Sequence, residues 1–199
     1  MNRREFMQLS GGLFAVSALG GPFGDQSNAA QAAGVDIRSF FEWEDPAVIR
    51  VTEEVFQKCI LGKVFPAEAP LQHNWIAPGG GYRGQWIWDT MFVVDLLSIL
   101  PGQDRVIRDV FQNYWDFQLR WNKAMPDYAH DMIPCMIEPG KKDWVKFPAY
   151  SQIPILAWGV ERVYQRNRDK ELVAQCLDPL ERFHEWYWRE RDVTNIGLV

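Results

Sequence analysis

The sequence predicts an all-α fold of stacked antiparallel helical hairpins. Three observations lead there. Apolar residues recur at helical spacing in one segment after another, helix start and stop signals separate those segments, and no segment alternates like a strand over any length. The resulting order is helix, long loop, helix, short turn, helix, long loop, helix, short turn, helix. Short turns make antiparallel neighbours, and the long loops are expected on one side of a toroid of such hairpins.

Asp45-Pro46 opens the first helix, a capping carboxylate followed by a proline whose missing N–H is not needed there. Val48, Val51, Val55, Phe56 and Ile60 follow at helical spacing, and Gly62 closes the segment. An irregular stretch, 63–84, ends in Pro78-Gly79-Gly80-Gly81-Tyr82-Arg83-Gly84. A loop of this length inside a domain is more often functional than idle. Residues 85–100 read as a strongly apolar helix stopped by Pro101-Gly102. Asp104 caps a helix to about 123 with Ile107, Val110, Phe111, Tyr114, Phe117 and Trp121 on one face. A second long loop, 125–150, holds Pro126, Pro134, Pro139 and Pro148. Ser151-Gln152-Ile153-Pro154 then leads into a helix through about 167, with Leu156, Val160 and Val163 inward. The last helical region is 170–190, where Asp178-Pro179 is a point of possible restart.

The N-terminus reads differently. Arg3-Arg4 with Phe6 two positions on matches a twin-arginine export address, which is read by a translocase and is not a membrane anchor. A charge-free stretch from Leu9 to Gly21 follows, too short and glycine-rich to span a bilayer, and Ala30-Gln31-Ala32 offers a cleavage site. Residues 1–33 are therefore expected to be a twin-arginine signal peptide, 34–199 the folded domain, and the protein periplasmic or secreted. With a net charge of −5 over 199 residues, no basic stripe exists to neutralise phosphates, which argues against a nucleic-acid partner. Cys59, Cys135 and Cys176 are too few and too widely spaced for a disulfide framework and are expected as small buried thiols. His73, His130 and His184 lack zinc-ligand spacing, so no metal is expected.

The densest cluster of chemistry-bearing residues is Tyr82-Arg83-Gly84-Gln85-Trp86-Ile87-Trp88-Asp89-Thr90. It places a carboxylate between two indoles at the start of an apolar helix. Low-dielectric walls raise a carboxyl's pKa, whereas a helix N-terminus lowers it. If the first effect wins, Asp89 suits general-acid work; if the second wins, it is a helix cap and the indoles are core. The chain holds 10 Trp, and such rings either fill helix seams or stack under sugars; composition does not choose between the two.

The run Gln85-Trp86-Ile87-Trp88-Asp89-Thr90-Met91-Phe92, then Met132-Ile133-Pro134, then Ser151-Gln152-Ile153-Pro154-Ile155-Leu156-Ala157-Trp158 resembles glycoside hydrolase family 63. It is most similar to the bacterial mannosylglycerate/glucosylglycerate hydrolase branch. The closing run from Leu180 to Asp192 is similar to that family as well. The resemblance implies an (α/α)6 barrel, inverting hydrolysis of an α-glycosidic bond in a carbohydrate substrate, and no cofactor or metal. It assigns the general acid to Asp89, places Tyr82, Trp86 and Trp88 at the sugar subsite, and gives Gln152 a hydrogen bond to the sugar. The family writes Q-P-P where this chain has Gln152-Ile153-Pro154, a departure in loop shape.

An inverting mechanism needs a second carboxylate roughly 6.5–9.5 Å from the first, to activate water. No residue here matches the family's base; Asp131, Glu138 and Asp143 lie in the second long loop without family support. The segments present amount to roughly half of the barrel, which would leave apolar faces open. A shortened gene is the favoured expectation, ahead of a half that joins a missing complementary half and of a non-catalytic remnant. The rival function is a non-catalytic carbohydrate-binding or partner-assembled helical module.

Overall fold

Asp45 and Pro46 start the first helix as their chemistry directs. The computed structural model describes residues 45–79, 82–124, 127–140, 151–192, 194 and 196–197, without the side chains of 120–124. The Asp45 carboxylate accepts a hydrogen bond from Ala47 N at 2.8 Å and caps α1 (Pro46–Val55). A π turn (Phe56–Ile60) and a 3-10 turn (Leu61–Lys63) extend it. The expected single apolar face is only partly kept. Phe56 and Ile60 are buried, but Val48 and Val51 are 41% and 58% exposed. The wider π turn shifts the phase of the helix, so residues before it no longer share the face of those after it.

The two long loops each contribute strand residues that the sequence pattern did not reveal. β1 (Val64–Phe65) pairs antiparallel with β2 (Trp75–Ile76), and the Phe65 and Trp75 rings stack at 4.6 Å. β3 (Gln85–Trp86) pairs antiparallel with β4 (Met136–Ile137), with Gln85 opposite Ile137 and Trp86 opposite Met136. Two-residue strands are too short to show alternation, and the fold remains all-α. Because Gln85 and Trp86 are drawn into β3, the apolar helix α2 (Ile87–Leu97) begins later than the expected 85.

Helix α3 (Asp104–Ala124) buries Ile107, Val110, Phe111, Tyr114 and Phe117 along one face; Trp121 lies outside the described side chains. Helix α4 (Leu156–Asn167) buries Leu156, Val160 and Val163, as its periodicity predicts. Arg168 then adopts a left-handed conformation (φ 58°) that ends α4, and the Asp169 carboxylate accepts from Leu172 N at 2.9 Å to open α5 (Lys170–Arg191). No restart occurs at Asp178-Pro179. The helix runs through Pro179, whose carbonyl accepts from Gln118 Nε2 of α3 at 3.2 Å. Burial of Leu180, Phe183 and Trp186 on the far side holds the helix across the lost hydrogen bond.

One apolar cluster joins all of these elements. α2 packs on α4, α4 on α5, and α5 on α3. At the first of these seams Gly159 brings the backbones together: a Cβ there would stand 2.3 Å from Met91 Sδ. The same seam carries an ion-pair clamp, in which the buried Asp95 of α2 meets Arg162 Nε at 2.9 Å and Arg166 Nη1 at 2.5 Å. Cys135 and Cys176 are buried free thiols as expected; Cys59, in the π turn, is instead exposed. No helix among the described residues is long and apolar enough to cross a membrane. Residues 1–33, expected as a signal peptide, lie outside the described residues.

Candidate active site

Gly84 makes the corner on which the candidate site is built. Its φ of +123° belongs to the region that favours glycine, and a Cβ there would meet Met136 Sδ at 2.5 Å and Ile137 O at 2.9 Å. That closeness lets β3 lie against β4 and then turn straight into α2. The side chain of Gln85 points inward and is spent on structure. Its Nε2 donates to Val110 O at 2.9 Å and its Oε1 accepts from Asn113 Nδ2 at 3.3 Å. Asn113 in turn donates to Asn74 O at 3.0 Å and accepts from His73 N at 3.0 Å, tying α3 to the first long loop.

The start of α2 lacks a cap of its own. Trp86 occupies the capping position and offers no side-chain acceptor. The free N–H groups are satisfied from outside the helix instead. Ile87 N donates to Cys135 O at 3.2 Å, and Trp88 N donates to Gln152 Oε1 at 2.8 Å. Gln152 is itself held: the Tyr187 hydroxyl of α5 donates to its carbonyl, and the neighbouring Ser151 Oγ donates to Ile133 O at 2.6 Å.

Asp89 sits half-buried in the first turn of α2. Burial raises its pKa above the ordinary carboxylate range, and a hydrogen bond from its own backbone N–H only partly offsets this. No Lys, Arg or His pairs with it among the described residues. Of the two opposing influences on this carboxyl, burial is the larger. On the inner side lies Tyr114 of α3, fully buried. Burial raises its hydroxyl pKa strongly, the Thr90 and Gln85 side chains counter this in part, and the charge of Asp89 adds to it, so the phenol stays neutral. Neither the Tyr114 hydroxyl nor Thr90 Oγ1 has a well-aligned hydrogen bond among the described residues.

Aromatic residues share this strand-to-helix corner with Asp89. Tyr82, 64% exposed, meets Trp86 edge-on at 5.6 Å. Trp88 meets Phe92 edge-on at 5.2 Å, and Phe92 contacts Trp158 of α4 at 5.5 Å. Trp88 and Phe92 remain partly open to solvent, whereas the Trp86 Nε1–H is buried without a partner among the described residues. The structure therefore gathers Tyr82, Trp86, Trp88 and Asp89 at one strand-to-helix corner and brings Gln152 to it across the chain. Sequence reasoning missed Phe92, Trp158, Tyr187 and Tyr114. Phe92 was legible as the residue one turn after Trp88; Tyr187 carried no local signal.

A second carboxylate is less well served. Asp131, held at φ 69°, faces Arg182 Nε at 3.7 Å and Arg189 Nη1 at 3.9 Å and is engaged by α5. Asp143 lies outside the described residues.

Burial thus raises the pKa of a carboxyl at a helix start that also carries aromatic rings. Comparison with known proteins gives a family. The family model described as the mannosylglycerate hydrolase MGH1-like glycoside hydrolase domain matches residues 82–199, which begin at Tyr82 and include every candidate residue, and the chain belongs to that family. A trehalase from Bombyx mori is 24% identical over 127 residues, covering 60% of this chain and 18% of the relative. The chain thus spans less than a fifth of the length of that relative.

Proposed function

We propose that this domain carries the acid side of an inverting α-glycosidase site. Asp89 protonates the leaving glycosidic oxygen, Trp86, Trp88 and Tyr82 hold the sugar, and Gln152 orients it. The observation that carries this reading is the carboxyl of Asp89, its pKa raised by burial and no cation beside it among the described residues, at a corner that also holds aromatic rings. Cleavage would move the proton from Asp89 to the departing oxygen as water adds to the anomeric carbon from the opposite face. In this reading the helical hairpins belong to an (α/α)6 barrel of the glycoside hydrolase family 63 type. No described residue is assigned the role of the base that activates water.

The consequence is that the 199-residue chain alone has little hydrolase activity. Measurable turnover of an α-glucoside by the purified chain, abolished by Asp89→Asn, would overturn that. The open rings of Tyr82, Trp88 and Phe92 favour a second reading, a sugar-binding module without chemistry. It requires saturable quenching of Trp fluorescence by sugar that is independent of the ionisation of Asp89. We further propose that residues 1–33 direct export by the twin-arginine translocase to the periplasm or beyond. Fusing them to a reporter and replacing Arg3 and Arg4 with Lys tests this, since the reporter should then stay in the cytoplasm.

A further inference from the structure

Helix α2 opens without a cap, yet its third residue is an aspartate. A carboxylate at that position ordinarily bends back to accept a free backbone N–H of the first turn. Such a bond favours the charged form and would lower the carboxyl's pKa. Here the competing acceptors come from elsewhere in the chain. Cys135 O takes the Ile87 N–H and Gln152 Oε1 takes the Trp88 N–H, at 3.2 and 2.8 Å.

The orientation of the Gln152 amide follows from this contact alone. A backbone N–H can only donate, so the amide oxygen must face Trp88 and the NH2 group must face away. The Tyr187 hydroxyl on the Gln152 carbonyl and the Ser151 hydroxyl on Ile133 O hold the loop that delivers the amide. We propose that Gln152 is a positioning residue for Asp89: by capping Trp88 from across the α2–α4 seam, it leaves the Asp89 carboxyl only its own backbone N–H to accept and keeps it from bending back to Trp88. The value of that placement rests on the acid role proposed for Asp89, but the geometry can be tested without it. The titratable side chain facing Asp89 from another element, among the described residues, is Tyr114 of α3, which burial holds neutral.

The test is an NMR titration of the Asp89 carboxyl carbon in the full chain, with amide exchange measured at Trp88. Gln152→Met removes the acceptor and keeps the length. The Asp89 titration is then expected to fall by about half a pH unit or more, as its carboxylate takes over the Trp88 N–H. Trp88 exchange is expected to quicken by about tenfold. Gln152→Glu keeps an acceptor, so Trp88 stays protected and the Asp89 titration does not fall. If the Met variant does not fold, Gln152→Asn, too short to reach Trp88 N, is read in the same way. An unchanged Asp89 titration in the variant lacking the acceptor overturns the proposal, and so does a fall with Trp88 still protected. A merely structural Gln152 would lower stability without moving the titration. If sugar binding by the chain does not depend on the ionisation of Asp89 while the titration shift is seen in the Gln152 variant, the acid reading falls and the positioning role stands.

Discussion

Helix α2 carries two aspartates that the fold treats in opposite ways. Asp95, near the end of the helix, is buried and clamped by Arg162 and Arg166 of α4, with Arg166 also reaching its carbonyl and Ser98 Oγ. Asp89, in the first turn, is half-buried and receives no cation among the described residues, and burial raises its pKa. The difference separates structure from chemistry on one helix. A charge that holds the seam is matched, whereas Asp89 has no matching cation among the described residues.

Breaking the matched charge should have the largest effect. Asp95→Asn leaves two arginines, each 23% exposed, without their shared partner. Removing one member of a buried pair destabilises by about 3–5 kcal/mol, and the low end is expected here because the guanidinium groups retain some water. Denaturant unfolding should show a loss of about 3 kcal/mol. A loss below about 1 kcal/mol would place this clamp among ordinary surface pairs and erase the contrast with Asp89. Next in size is Asn113→Leu. It removes the side chain that joins Gln85, His73 and Asn74 beneath the site, leaving several buried groups without partners. About 2–3 kcal/mol is expected. The Asp89 titration should hold if this layer serves the scaffold only, and its movement would show that the buried layer sets the site as well.

Which of these features could be read from the chain follows from their range. The helices of the core were legible because burial imposes a period on local sequence. Ile107, Val110, Phe111, Tyr114 and Phe117 lie inward as their spacing requires. Asp45-Pro46 was legible as a helix start because capping is a local bond. The break expected at Pro179 was not made, because contacts with α3 and the core outweigh the loss of a single backbone bond. The corner at Gly84 was legible as a glycine-rich loop, but its pairing with Met136 and Ile137 joins residues far apart in sequence, which no local pattern encodes. Asp89 itself remained ambiguous on spacing alone. The deciding fact, that Gln152 and Cys135 cap α2 in its place, exists only across the fold.

The smallest expected effect probes the unmatched charge directly. For Asp89 the folded pKa lies above the unfolded value of 3.8, so the native state binds the proton more tightly. Stability then falls as pH rises through the interval between the two values, because the folded protein must give up a proton that it holds more strongly. Asp89→Asn removes the titration. The variant should match the wild type at pH values below 3.8 and become the more stable protein as pH rises toward neutrality. The side chain is only half-buried, so the gain is on the order of a few tenths of a kcal/mol after allowance for solvent screening. Thermal unfolding of both proteins across an acid-to-neutral series measures it. A gap that stays constant with pH would mean that Asp89 is an ordinary surface carboxylate. A variant that is less stable at neutral pH would mean that its negative charge supports the helix start, which is the role the fold has otherwise given to Gln152.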